Sequence, residues 1–213
     1  MEDFHLLAHD ASLLDPVGKV LDEPVFVHPM KIGRISFPNN TRATTPEHQD
    51  YVHIQGSFDT YTSWIPLGDV PEELGGLAVL AGSHKLGILP PRPADGAGGL
   101  GVDTESYGLP WHGGDFRAGD VLLFPSNMVH KALPNLTADR LRLSVDYRFT
   151  GMSHGICESN LRMHYGGELP ELTFENLYRH WKTDHLKYYW KSQPLHIVPF
   201  TDAWHRGAYG GKK

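Results

Sequence analysis

The chain has 213 residues, of which 40% are hydrophobic, a single cysteine and a formal net charge of -6 at pH 7. This length suffices for one domain with a sizeable core, and we expect a single domain over residues 1–213. The acidic balance argues against nucleic-acid binding, which draws most of its affinity from positive charge. The lone Cys157 excludes both an internal disulfide and a cysteine-based metal site.

The N-terminal segment, residues 1–24, predicts a short helix and a connector that ends at Pro24. It lacks the basic start and apolar stretch of a signal peptide, and no run of about 18 apolar residues occurs in the chain. We therefore expect a cytoplasmic protein without membrane association.

Strand composition recurs along the chain in segments that are β-branched, aromatic or alternating. A strand over 25–37 is interrupted by Pro29, which predicts a kink or a sheet edge. The other predicted strands lie within 51–67, 75–87, 120–125 and 140–149. Many short strands predict a mainly-β sandwich or barrel.

Three further segments complete the chain. A Gly- and Pro-rich loop over 88–114 is long enough to suggest a functional role, and with the segment after Phe149 it is expected to shape substrate specificity. A helix is predicted over 172–190, with Thr173 as its cap. The tail over 205–213 is expected to be flexible.

A possible metal site begins with His48 and Asp50, two residues apart in EHQDYV. In an extended segment, a period of two places both side chains on one face. His130, directly after the strong strand 120–125, is the third candidate ligand. Two imidazoles and one carboxylate leave open positions on an iron, as oxygen-activating Fe(II) enzymes require. The H-x-D pair alone is weak evidence, because a surface pair at a strand end would look the same.

An anion site is predicted on the strand that follows. Arg140, Arg142 and Ser144 alternate with leucines, so they point to the opposite face, which in a β-helix is the interior. A buried guanidinium needs an anion, and Arg142 with Ser144 suits a carboxylate. Arg140 is the alternative residue for this role, and an internal pair with Asp146 is the alternative explanation of Arg142.

An ordered set of short motifs carries a family resemblance. It comprises H-Q-D at 48–50, Trp64, G-S-H at 82–84, G-D-V-L-L-F at 119–124, His130 with P-N at 134–135, and R-x-R-L-S at 140–144. Together these resemble the phytanoyl-CoA dioxygenase family of Fe(II)- and 2-oxoglutarate-dependent oxygenases, from about Asp10 to Phe149. The resemblance implies a double-stranded β-helix of the jelly-roll or cupin type, with flanking helices.

The resemblance also implies the roles of individual residues. His48, Asp50 and His130 would bind Fe(II) and form the catalytic centre. Arg142 and Ser144 would bind the distal carboxylate of 2-oxoglutarate.

Two further residues are expected beside the cosubstrate. Trp64 stands where relatives have an aromatic residue against 2-oxoglutarate, and Met30 would line the same pocket. The reaction implied is hydroxylation of a small molecule, with consumption of O₂ and release of succinate and CO₂.

The chain departs from the family at its N-terminus, where relatives commonly have further helices and a strand. The expectation is an abbreviated protein or a partial product. The alternative function is a catalytically degenerate member that binds a metabolite or a partner. A cupin that does not use 2-oxoglutarate is a third possibility, against which the R-x-S pair argues.

Overall fold

The structure of the protein is a computed structural model, which describes residues 2–39, 44–165 and 169–209. The helices are α1 (Glu2–Leu7), α2 (Ala11–Leu21), α3 (Tyr51–Ile54), α4 (Phe174–Tyr178) and α5 (Ala203–Tyr209). The strands are β1 (Val25–Val27), β2 (Ile32–Ser36), β3 (His48–Gln49), β4 (Tyr61–Pro66), β5 (Leu77–Leu80), β6 (Arg92–Pro93), β7 (Leu100–Gly101), β8 (Trp111–His112), β9 (Leu122–Pro125), β10 (Val129–Ala132), β11 (Arg142–Gly151), β12 (Gly155–Cys157) and β13 (His196–Val198).

Two antiparallel sheets position the site. The major sheet has the order β1-β11-β4-β9, with β2 also paired to β11, and the minor sheet has the order β3-β10-β5-β8. Residues of both sheets line one common cavity between them. The prediction of a mainly-β, jelly-roll fold with flanking helices is therefore confirmed.

The alternation along β11 separates a polar interior face from an apolar outer face. The inward side chains of Arg142, Ser144, Asp146 and Arg148 are all buried. On the other face, Val145, Tyr147 and Phe149 form a cluster with residues of α2, and the Tyr147 hydroxyl donates to the carbonyl of Phe4 at 2.6 Å. The N-terminal helices thus cover the apolar face, which leaves the polar face to the barrel interior.

The helix that the sequence predicts over 172–190 is much shorter in the structure. Thr173 caps it as expected, by accepting a hydrogen bond from the Asn176 amide, but α4 ends at Tyr178. The amides of Lys182 and Thr183 donate to the Glu2 carboxylate instead of to helical carbonyls. This tertiary contact competes with the helical hydrogen bonds, and the aromatic side chains that follow pack against Phe26 and Ile156.

Other boundaries also differ from the sequence predictions. The segment 51–67 holds the single helical turn α3 before β4, because its first part turns back at Asp50. The N-terminal segment forms two helices rather than one, since Asp10 accepts from the Ser12 amide and begins α2. Strand 25–37 is broken around Pro29 as predicted. Residues 203–209 form α5, and residues 210–213 of the predicted flexible tail lie outside the described residues.

No helix within the described ranges is long and apolar enough to cross a membrane. The cytoplasmic location and the single-domain organisation stay predictions from the sequence.

Candidate metal centre and its two pockets

The two histidines of the predicted site lie side by side on neighbouring strands of the minor sheet. His48 in β3 and His130 in β10 are direct partners in the antiparallel register. Their ring centroids lie 4.1 Å apart, and both side chains are buried. Strand pairing therefore brings together two residues that are far apart in the sequence.

Asp50 joins them by a different route from the one predicted. Strand β3 ends at Gln49, and Asp50 has helical backbone angles (φ -57°, ψ -33°) at the start of α3. The expectation that Asp50 shares an extended strand with His48 is thus wrong, because the chain turns at this residue. The turn nevertheless places its carboxylate beside the imidazoles. The possible ligand atoms of His48, Asp50 and His130 all lie within 4.8 Å of one another.

Backbone carbonyls fix the orientation of both imidazoles. The Nδ1 atom of His48 lies 2.9 Å from the Pro46 carbonyl, and Nδ1 of His130 lies 3.1 Å from the Met128 carbonyl. Because a carbonyl only accepts, we assign the proton to Nδ1 in each ring, which leaves the Nε2 lone pairs free. These Nε2 atoms lie 3.5 and 3.9 Å from Oδ1 of Asp50.

The two oxygens of Asp50 have different surroundings. Oδ2 accepts from the Thr62 hydroxyl at 2.7 Å and from Nη2 of Arg148 at 3.2 Å. Oδ1 faces the histidines. Burial by itself raises the pKa of Asp50, but Arg148 and the two imidazoles outweigh burial and hold this pKa well below its usual value.

His130 is held in its neutral form. Burial lowers its pKa to about 3, with a further contribution from His48 and an opposing one from Asp50. A neutral imidazole and an ionised carboxylate are the protonation states that bind a metal. Two nitrogens and one oxygen on one side of a point are the donor set of non-haem Fe(II) sites, so the residues present fit such an ion.

A narrow pocket opens from the metal centre towards Arg142. Trp64, Leu77, Phe124 and Arg142 line it together with the three possible ligands. Arg142 donates through Nη1 to the Ser144 hydroxyl at 2.7 Å, and its guanidinium lies 5.9 Å from the centre of the Trp64 ring. The predicted anion-binding residues are therefore adjacent, and Arg142 and Trp64 line the same pocket as the histidines.

The alternatives for this pocket have different locations. Arg140 is on the surface, where it lies 3.8 Å from Glu73. Asp146 is bound by Nε of Arg34 at 2.6 Å rather than by Arg142. Arg142 instead donates through Nε to the backbone carbonyl of Gly75 at 3.0 Å. Of the two arginines that the sequence left open, Arg142 is the one that lines the pocket.

A second cavity, which we call the chamber, lies on the Asp50 side of the metal centre. It has a volume of about 290 Å³. Its walls, besides His48 and Asp50, include Met30, Ile32, Arg34, His53, Ile54, Ala97, Gly98, Arg148, Ser159, Asn160, His164, Tyr165, Phe200 and His205. Met30 thus lines the chamber and not the pocket of Trp64, because the chain leaves the sheet between β1 and β2.

Two contacts of the metal centre were missed by sequence reasoning. Arg148 shares the alternating inward face of Arg142 and Ser144, so the period of β11 could have found it. Thr62 carries no such signal, since a threonine in a strand is ordinary. Its role depends on β4 lying beside β11, where Thr62 is the direct partner of Arg148.

Two facing antiparallel sheets with a buried His-Asp-His group between them define a double-stranded β-helix protein with a possible metal centre. A sequence profile of the phytanoyl-CoA dioxygenase (PhyH) family matches residues 2–143. The chain belongs to this family.

Two curated relatives support the assignment. The 1-deoxypentalenic acid 11-beta-hydroxylase of Streptomyces exfoliatus is 35% identical over 151 residues, which cover 64% of this chain and 53% of the relative. The enzyme of the same name from Streptomyces arenae is 35% identical over 162 residues, with the same coverage. The chain therefore spans about half the length of these relatives.

Solved structures share the fold at lower identity. One is described as the epimerase SnoN in complex with Fe3+, alpha ketoglutarate and nogalamycin RO; it has a TM-score of 0.60 and 22% identity, over 73% of this chain and 61% of that one. Another is EvdO2 from Micromonospora carbonacea var. aurantiaca complexed with 2-oxoglutarate, with a TM-score of 0.55 and 21% identity, over 70% and 63%. At this identity the likeness establishes the fold.

Proposed function

We propose that this protein is an Fe(II)- and 2-oxoglutarate-dependent dioxygenase that hydroxylates a small molecule. The observation that carries the proposal is the orientation of the three possible ligands. Two Nε2 atoms and Oδ1 of Asp50 converge, while every opposite polar atom of these side chains is already hydrogen-bonded. Side chains that served only for packing would not need one polar atom held by a hydrogen bond while the other points to a common centre.

The adjoining pocket supports the cosubstrate part of the proposal. The guanidinium of Arg142 would bind the distal carboxylate of 2-oxoglutarate, together with the Ser144 hydroxyl. Trp64 would pack against the body of the molecule, and Leu77 and Phe124 would exclude water. Bound iron would supply the activation of O₂ and the oxidation of a C–H bond, with release of succinate and CO₂.

The substrate part of the proposal relies on the chamber. Its walls include Ala97 and Gly98 of the loop 88–114 and several residues after β11. Loops carried on a rigid sheet commonly determine which ligand is accepted. We therefore propose that these two segments set substrate specificity. The two curated relatives are named as hydroxylases, which supports hydroxylation as the outcome.

Anaerobic titration tests the proposed cosubstrate complex directly. Addition of Fe(II) and 2-oxoglutarate together should produce the visible charge-transfer band of the chelate, and either component alone should not. Admission of O₂ should then release succinate. Arg140→Ala, which alters an exposed arginine outside the pocket, is the matched control and should leave the band unchanged.

The outcomes separate the competing functions. A band without succinate over hours would favour a catalytically degenerate binding protein. Iron binding without any band would contradict the cosubstrate assignment and favour a β-barrel metalloprotein that does not use 2-oxoglutarate.

A further inference from the structure

Arg34 has one end of its guanidinium that the protein itself leaves unused. Its Nε atom donates to Oδ2 of Asp146 at 2.6 Å, whereas Nη1 and Nη2 have no hydrogen-bond partner among the residues that the structure describes. The side chain is 32% exposed, and neither Nη atom is buried from solvent, in contrast to the unpaired atoms of Arg148. The two Nη atoms form one fork of the guanidinium, so this fork is open to a ligand.

The strand register places the Arg34 side chain on the inner face of the major sheet. Arg34 in β2 is the direct partner of Ser144 in β11, and direct partners in an antiparallel pair point to the same face. Ser144 points inward, where it accepts from Arg142. Arg34 consequently lines the narrow pocket together with Arg142, and it also lines the chamber.

The charges of neighbouring residues locate Arg34 between the metal centre and Arg142. Asp146 raises the pKa of Arg34 against the effect of burial, and Asp50 contributes to this increase. Burial, together with the charge of Arg34, lowers the pKa of Arg142 to about 10. Arg34 thus interacts with a possible metal ligand on one side and with the proposed clamp of the distal carboxylate on the other.

The cosubstrate proposed above has one carboxylate more than Arg142 can bind. The described wall of the narrow pocket contains two arginines, Arg34 and Arg142. The second carboxylate of 2-oxoglutarate would bind the metal together with the keto oxygen, and one of its oxygens would then lack a metal bond. Such an oxygen is costly without a donor in a pocket that excludes water. The Thr62 hydroxyl is not free for it, since it donates to Asp50.

We propose that the fork formed by Nη1 and Nη2 of Arg34 binds the metal-proximal carboxylate of 2-oxoglutarate. This proposal rests on the dioxygenase function above, since it assigns a further cosubstrate-binding residue of the same site. Asp146 then has a positioning role, because its contact with Nε fixes the direction in which the fork points. The two ends of the cosubstrate are bound from different strands, the proximal end from β2 and the distal end from β11.

Two 2-oxo acids separate the contributions of the two arginines. 2-Oxovalerate has the same carbon chain as 2-oxoglutarate, with a methyl group in place of the distal carboxylate. Each acid is titrated anaerobically into the Fe(II)-loaded protein, and the charge-transfer band gives its affinity. Arg34→Gln should weaken both acids by about 10-fold or more, as expected for a lost charge-assisted hydrogen bond. Arg142→Gln should weaken 2-oxoglutarate to a similar extent and leave 2-oxovalerate nearly unchanged.

A matched control and the iron affinity complete the comparison. Arg140→Gln, at an exposed arginine outside the pocket, should change the affinity of neither acid. Arg34→Gln should bind Fe(II) as tightly as the unaltered protein, because Arg34 is not one of the possible metal ligands. A fall in iron affinity as large as the loss of 2-oxo acid would overturn the proposal, since Arg34 would then act through the metal centre.

Two further results would overturn the proposal. If Arg34→Gln changed both affinities by less than about 3-fold, the effect would be no larger than that of an exposed charge without direct contact. If it weakened 2-oxoglutarate alone, Arg34 would bind the distal carboxylate instead of the proximal one.

A second background removes the effect of an unpaired Asp146. Arg34→Gln leaves the buried Asp146 carboxylate without its partner, which can destabilise the fold. Asp146→Asn and the double variant Arg34→Gln, Asp146→Asn differ at Arg34 alone, and the loss of affinity for both acids should recur between them. A loss confined to proteins that retain the Asp146 carboxylate would contradict the proposal. Thermal unfolding of each variant shows whether it is folded.

The band of the unaltered protein distinguishes the two levels of the argument. A normal band, with unchanged affinities in Arg34→Gln, would refute the assignment of Arg34 alone. Absence of the band from the unaltered protein would refute the proposed function, and this inference with it.

Discussion

The two cavities beside the metal centre are built from different parts of the chain. Strand residues such as Trp64, Leu77 and Arg142 dominate the narrow pocket, and their positions are fixed by sheet register. The chamber takes much of its wall from connections, including Gly98 and the segment that contains Asn160 and His164. The pocket that we assign to the common cosubstrate is therefore built mainly from strands, and the cavity that we assign to the specific substrate takes a larger share of its wall from loops.

The hydrogen bonding of the two arginines shows the same difference. Arg142 already has protein partners on two sides, the Gly75 carbonyl and the Ser144 hydroxyl, which hold it in one orientation. Arg148 has the Asp50 carboxylate as its partner, and its Nε and Nη1 atoms have none within the part of the chain that the structure describes. A preorganised clamp of this kind suits one constant ligand.

The largest effect is expected at Asp50, which is one of the residues that line both cavities. Asp50→Ala removes the anionic ligand and also leaves Arg148 without its partner. Iron affinity should fall by more than about 100-fold, because loss of a supporting contact alone typically costs 10- to 100-fold. Anaerobic Fe(II) titration measures this change. Asp59→Ala, at an exposed carboxylate outside the ligand group, should bind iron normally.

The narrow pocket can be tested apart from the metal. Arg142→Ala should weaken 2-oxoglutarate by about 10- to 100-fold, the range for a lost charge-assisted hydrogen bond, and should leave iron affinity nearly unchanged. The intensity of the charge-transfer band at increasing 2-oxoglutarate gives the affinity. If Arg140→Ala caused the loss instead, the assignment of the two arginines would be wrong.

A smaller effect is expected from the hydroxyl that supports Asp50. Thr62→Val keeps the shape but removes the hydrogen bond to Oδ2, so iron affinity should fall about 10-fold. Thr60→Val is a matched control, because the Thr60 hydroxyl is buried and has no hydrogen-bond partner among the residues that the structure describes. Equal iron affinities in the two variants would show that Thr62 does not orient Asp50.

Acid should destabilise the fold through buried histidines such as His28. The backbone amide of His28 donates to the carbonyl of Arg148 at 2.8 Å. Burial lowers the pKa of the His28 imidazole from 6.5 to about 3. Between these two pKa values the unfolded state binds more protons than the folded state. The free energy of unfolding is therefore highest above about pH 6.5 and falls as the pH drops towards 3. The slope from this residue approaches about 1.4 kcal/mol per pH unit within that window.

The variant His28→Gln should reduce this dependence on pH. Urea unfolding of the metal-free protein, compared between about pH 7.5 and about pH 5, measures the slope. His112→Gln, at an exposed histidine of β8, should keep the slope of the unaltered protein. An unchanged slope in His28→Gln would mean that His28 is not held neutral by the fold.

The sequence by itself determined the residue types of the metal centre and the strand that follows it. The H-x-D pair, the histidine after an apolar strand and the alternation of β11 depend on local spacing, which a strand preserves. For the same reason the inward direction of Arg142 and Ser144 could be predicted. The family could be identified because these local motifs occur in a fixed order.

Only the tertiary structure decided how these residues meet and where the segments end. Asp50 lies beside the histidines because the chain turns there, directly after the end of β3. Helix α4 ends early, and the amides of Lys182 and Thr183 donate to the Glu2 carboxylate. The contact between Arg148 and Asp50 likewise depends on residues that are distant in the chain. Such contacts join residues distant in the chain, and their energies depend on burial and pairing, which no local pattern of residue types specifies.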